Sequence, residues 1–269
     1  SQKQVPTLGV TLARFILAPP MAALYLIILY QWQPEAGLPS FQLPVCAIML
    51  VAAVSQIIAT NLMVKVFELK NYAIGVGLAK SEAVIAAVLG VIWFSAPLTF
   101  LGWVGVGVGG VAVFLLSGFD SVRSFSIKTA LYGLGSGLCF ALTSLWVREA
   151  SLLLGLRFPF SAAWVLFVVL SLQTVLLMSW LLISQKETLK ALFQEPALMS
   201  LTSLASFLGS VGWFTAMSLE KVPLVKTLGQ IEIFFTLLIS YFWFREKLRR
   251  TDLLGLMLIV VAAICVLLV

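Results

Sequence analysis

Apolar residues fill this chain in runs of about 20, separated by short polar stretches, and a helix of that length crosses a hydrocarbon core about 30 Å thick. The pattern predicts nine spans, at residues 7–30, 44–67, 72–94, 99–118, 127–147, 160–184, 197–219, 223–244 and 252–269. Lipid leaves no partner for an open backbone, so the spans are expected to form an α-helical bundle. Pro6, Pro44, Pro159, Pro196 and Pro223 stand at or beside expected helix starts, where a missing N–H removes no bond. Trp32, Trp93, Trp103, Trp146 and Trp243 fall near expected span ends, as interfacial anchors do.

Composition agrees with a polytopic membrane protein: 61% of residues are hydrophobic, 10% are charged, and the mean hydropathy is +1.10. The net charge of +6 lies mostly in loops, which points to topology and headgroup contact and not to nucleic acid. Cys46, Cys139 and Cys265 sit singly in separate runs and read as packing residues, with no disulfide framework. Histidine is absent, which removes the commonest metal ligand and general base; no metal and no cofactor are expected.

An internal repeat organises the chain. An offset of 150 residues pairs Glu82 with Glu232, Trp93-Phe94 with Trp243-Phe244, Leu98 with Leu248, Gly105 with Gly255, and Val111-Ala112 with Val261-Ala262, without a gap. Apolar coincidences are common between membrane segments, but a Glu and a Trp-Phe pair at one offset are not. Two repeats follow, residues 1–118 and 127–269. The second contains five expected helices and the first four, so a ten-helix parent with its first helix upstream of Ser1 is expected. An odd number of helices per repeat inverts one copy relative to the other, an arrangement found in many secondary transporters.

The C-terminal repeat also resembles a known family. A Pro-started helix, Gly229-Gln230-Ile231-Glu232, then Phe244-Arg245-Glu246-Lys247-Leu248, and Gly255 early in the last helix are similar to the EamA-type branch of the drug/metabolite transporter superfamily. The likeness is strongest after Val222 and weaker in the first half, where Ser95-Ala96-Pro97 replaces the charged turn; Ala13-Arg14-Phe15 resembles the family's Arg-containing second helix. Where the family often has Pro after the buried Glu, this chain has Ala83 and Ile233, so a kink at these points does not follow from the resemblance. The resemblance implies a multi-pass protein of the bacterial inner membrane. Ten-helix members have both termini in the cytoplasm, which would put the 245–250 turn outside. The excess of loop Lys and Arg on the side of that turn puts it inside.

An ionisable side chain inside a span costs at least about 2.5 kcal/mol, and it is kept for a pathway, a site or a pairing. Within 223–244 a continuous helix would put Lys226 and Gln230 on one face and Glu232 about 200° from Gln230. Lys80 occupies the repeat position of Gln230. Two lysines on facing helices suit a carboxylate or phosphate; the alternative is internal pairing, for instance Lys80 with Glu232. Glu82 and Glu232 read as a proton site or, better, as a symmetric structural pair. Arg14 reads as a cavity cation or, preferably, as the partner of one of these glutamates. The resemblance adds lining candidates at Ser55, Gln56 and Asn61, at Tyr132, Ser136 and Thr143, and at Trp213 and Thr215. Gly105, Gly107 and Gly110 match G-x-G-x-x-G, but within an apolar helix they read as packing residues, as do Gly133 and Gly137.

The function expected is secondary transport of a small organic metabolite by alternating access. The expected partners are a small-molecule substrate, the lipid bilayer, and protons or a counter-substrate, with a monomer or homodimer as the working form. A membrane-embedded transferase or hydrolase is the first rival, disfavoured by the absence of His and by having Asp120 and Asp252 as its sole aspartates. A receptor or scaffold without flux is the second.

Overall fold

A computed structural model of the protein describes residues 6–69, 78–116, 127–243 and 250–268, and all structural statements concern these. Every regular element among them is an α-helix: α1 Thr7–Ala13, α2 Ala18–Trp32, α3 Leu43–Phe67, α4 Glu82–Trp93, α5 Phe100–Leu116, α6 Ile127–Leu153, α7 Phe160–Ser184, α8 Lys186–Phe193, α9 Pro196–Leu219, α10 Val222–Gly229, α11 Glu232–Trp243 and α12 Arg250–Leu267. Five segments are long and apolar enough to cross a bilayer: Thr7–Trp32 through its break, and α3, α6, α7 and α9.

The expected spans differ from these helices in three ways. The runs at 7–30 and 223–244 are each broken into two helices, and 72–94 turns at Lys80-Ser81 before α4, with residues 72–77 outside the described part. The polar stretch 186–190, which lies between the expected spans 160–184 and 197–219, begins α8. There Thr188, Leu189 and Leu192 are buried while Lys186, Glu187 and Lys190 face outward, a one-sided pattern that a short helix satisfies. Helix α6 runs beyond the expected residue 147 to Leu153. Arg148 does not end it, because its Nη1 donates to the Met217 carbonyl at the end of α9 (2.9 Å). The stop comes at Gly155, whose φ of 69° suits a residue without Cβ. Trp146 therefore lies inside the helix, not at its end.

The helices gather into two compact units. The first comprises Ser1–Val64 and Leu142–Leu219, the second Lys65–Ala141 and Glu220–Val269, and α6 and the last turn of α3 divide between them. The core of the first unit holds Leu12, Phe15, Met49, Leu166, Leu170 and Leu181, all fully or almost fully buried. Near the far end of α2, Trp164 Nε1 donates to the Tyr30 hydroxyl (2.9 Å) and that hydroxyl donates to the Gly37 carbonyl (3.0 Å). Paired aromatics with polar tips suit a span end, where apolar and wet regions meet.

In the second unit α5 and α12 approach closely because small residues line their contact. A Cβ on Gly105 would stand 3.2 Å from the Ala262 carbonyl, and one on Gly255 would overlap Leu116. Gly110 touches Val84, whereas Gly107 meets nothing and is not a packing residue. In a bilayer, where apolar burial adds little between helices, such close contact supplies dispersion energy instead.

Candidate functional site

Three breaks within apolar segments position the polar chemistry. The first lies between α1 and α2, at Arg14–Leu17. Pro19 and Pro20 carry no N–H and crowd the carbonyls of Phe15 and Ile16, so a helix cannot run smoothly through them. The freed backbone groups find partners elsewhere in the first unit. Thr174 Oγ1 lies 2.8 Å from the Phe15 carbonyl, and Ser203 Oγ accepts from Leu17 N–H at 3.0 Å. Arg14 donates from Nε to Ser206 Oγ (3.3 Å) and from Nη1 to Thr60 Oγ1 (3.5 Å). The expected partnership of Arg14 with a glutamate is thus replaced by two hydroxyls, because the break turns the guanidinium toward α3 and α9 of its own unit.

The second and third breaks fall at matching repeat positions, Lys80-Ser81 and Gln230-Ile231. Ser81 N–H bonds back to the Leu78 carbonyl, and in the C-terminal copy Gln230 and Ile231 bond back to Thr227 and Leu228, all with i→i−3 spacing. This tight winding replaces the regular ladder for a few residues and then releases it. Glu82 and Glu232 each open the helix that follows, where a carboxylate meets the positive end of the helix dipole.

The charges at these two breaks pair crosswise, each lysine with the glutamate of the other break. Lys226, in the last turn of α10, reaches Glu82 at 3.2 Å, and Lys80 pairs with Glu232. The pairing of Lys80 with Glu232, weighed above as the alternative to cavity lining, is present. The two pairs differ in depth: side-chain exposure is 7% and 13% for Lys226 and Glu82, but 23% and 46% for Lys80 and Glu232. The angular separation of Glu232 from Lys226 and Gln230 does not hold, since it assumed a continuous helix through residue 230.

Gln230 is 3% exposed, and neither its Oε1 nor its Nε2 has a hydrogen-bond partner. Its amide lies against Gly109, where an added Cβ would stand 2.5 Å from Gln230 Oε1. In the first unit Gln173 Nε2 donates to Gln56 Oε1 (2.7 Å), and Gln173 Oε1 is left over.

The remaining candidates are scattered. Lys80, Tyr132, Ser136, Lys226 and Gln230 belong to the second unit, whereas Gln56, Asn61, Trp213, Ser55 and Thr215 belong to the first, along with Thr143. Tyr132 lies with its ring 5.7 Å from Lys65 Nζ, and Ser136 is fully buried. Sequence reading passed over Thr60, Gln173, Thr174, Ser203 and Ser206. Gln173 is, like Gln56, an amide inside an apolar span, whereas the hydroxyls gain importance only from the break they serve.

The EamA-like transporter family model matches residues 127–268. A crystal structure of a protein 14% identical in sequence superimposes with a TM-score of 0.75, over 99% of this chain and 90% of its own, which extends the likeness of fold to the first half. No curated protein matches the chain. The family match alone takes in more than half of the residues, and the chain, a multi-pass integral membrane protein, belongs to the EamA-like transporter family.

Proposed function

We propose that this protein is a secondary transporter that carries a small organic metabolite bearing a carboxylate or phosphate, by alternating access, in a fold of two inverted repeats at residues 1–118 and 127–269. One observation carries the reading. Two apolar segments are interrupted 150 residues apart, at Lys80-Ser81 and Gln230-Ile231, each with an ionisable residue on either side of the turn or within one turn of it. Interrupted helices at equivalent positions of two repeats mark the substrate region of many secondary transporters, because irregular backbone is tolerated only where protein or a polar cavity surrounds it.

In this reading the crossed pairs give the region polarity without net charge, two cations against two carboxylates. They hold the half-helices in one arrangement and loosen when it changes. Gln230 has hydrogen-bonding capacity to spare and is the substrate contact in the second unit. Counterflow into liposomes holding the purified protein tests the reading. Accumulation of at least one amino acid, amine or phosphorylated compound against its own preloaded pool is expected; no flux with any of them would leave the receptor or enzyme readings standing.

A further inference from the structure

Arg14 is a cation inside a membrane span that forms no ion pair among the described residues. Lys80 and Lys226, at the breaks of the second unit, are matched by carboxylates, whereas no carboxylate among the described residues pairs with Arg14. It follows α1, whose seven residues put it about 10 Å along its span. It does not turn to lipid: Thr60, one of the groups it contacts, is fully buried in the bundle. A guanidinium carries five donors, and those of Arg14 that are bonded reach neutral hydroxyls at 3.3 and 3.5 Å, longer than the usual 2.9 Å or so and far from the short bonds a carboxylate makes. A cation held this loosely inside a span is expensive and marks a place where a counter-ion comes and goes.

A second observation lies on the same helix. Gln56 and Thr60 are four apart on α3 and share its face, and Gln56 is the partner of Gln173, whose fully buried Oε1 accepts nothing. This side of the first unit therefore combines a cationic donor, two hydroxyls that can donate to an oxyanion, and an unused neutral acceptor.

We propose that Arg14, with Thr60 and Ser206, binds the oxyanion of the transported molecule, and that Gln173 Oε1 receives an O–H or N–H of the same molecule. The substrate class is then a small organic acid that also carries a hydroxyl or an ammonium group. The assignment rests on the transport reading for its substrate and moves the anion contact from the lysines of the second unit to the arginine of the first.

Binding is measured without flux, by thermal shift and calorimetry on the whole protein in detergent free of phospholipid, with acetate, lactate and inorganic phosphate as probes and chloride to match ionic strength. At least one probe is expected to stabilise the protein beyond chloride. Arg14→Gln should weaken its binding by about tenfold or more, as the loss of a charge-assisted contact implies. Lys190→Gln, which removes an exposed cation of the same unit, should not change it. If Arg14→Gln does not fold, Thr60→Val with Ser206→Ala decides, since both keep shape and remove the hydroxyls; weaker binding is expected and unchanged affinity overturns the site. No stabilisation by any probe, or equal stabilisation by chloride, overturns it too. Stabilisation restored by anionic phospholipid alone would assign Arg14 to a headgroup and equally overturn it. Flux without anion binding would sink the subsite and leave transport standing, and anion binding without flux would do the reverse.

Discussion

Ser95 is the one described non-glycine residue with positive φ, at 47°. It closes α4, with Ala96 N–H returning to the Gly90 carbonyl at 3.0 Å and Pro97 preventing continuation. A left-handed residue with a Cβ costs roughly 1–2 kcal/mol, partly offset on changing to glycine by the larger entropy of the unfolded chain. Ser95→Gly should therefore stabilise the protein, by up to about 1 kcal/mol, seen as a higher melting temperature in detergent. Gly137 gives the opposite sign. A Cβ there would stand 2.7 Å from the Ala79 carbonyl, which is backbone and directly precedes the turn before α4. Gly137→Ala should cost about 1–3 kcal/mol, as overpacking does. Gly137 was legible in the sequence as a packing residue, but its partner was not, because no pattern within α6 tells what approaches it. Gly107 shows the converse: a glycine-rich motif does not say which member faces a neighbour.

Among the elements, the long apolar runs were legible because burial in lipid imposes one length and one composition on them. The breaks were not. Ala83 and Ile233 stand where a proline would have announced an interruption, and the turns instead use i→i−3 bonds that any residue can make. The break at Arg14 had its signal in Pro19-Pro20, inside a run read as a single span. The breaks also decided which charges meet, so the pairing of Lys226 with Glu82 lay beyond any helical wheel. Its depth predicts its energetics. Lys226→Ala or Glu82→Ala alone should destabilise by about 3–5 kcal/mol, since each strands a buried charge, and the double variant should recover much of the loss. The same cycle on Lys80 and Glu232 should give a clearly smaller coupling, because Glu232 is 46% exposed. Equal couplings in chemical denaturation of the solubilised variants would show that depth does not separate the pairs.

At the level of the whole molecule, the contact units cut across the two repeats expected from the sequence. The first joins Ser1–Val64 to Leu142–Leu219, and the second joins Lys65–Ala141, which runs through the junction, to Glu220–Val269. The 150-residue offset reports likeness along the chain, whereas the units report which helices are packed together, and the offset alone does not show which helices share a core. A chain divided between the repeats thus leaves neither fragment with a complete unit. Residues 1–118 and 127–269 expressed apart should be degraded or aggregate, and co-expressed they should copurify through a tag on either. Stable folding of one fragment alone would refute the interleaving.

Arg14 also sets a clock on synthesis. Thr60 leaves the ribosome 46 residues after it and Ser206 192 residues after it. At about 5–20 residues per second, Ser206 follows by about 10–40 s. Through that interval a charged, proline-broken segment waits with one of its two hydroxyl partners still unmade, so the Arg14 contact is completed only by a helix from the other half of the chain.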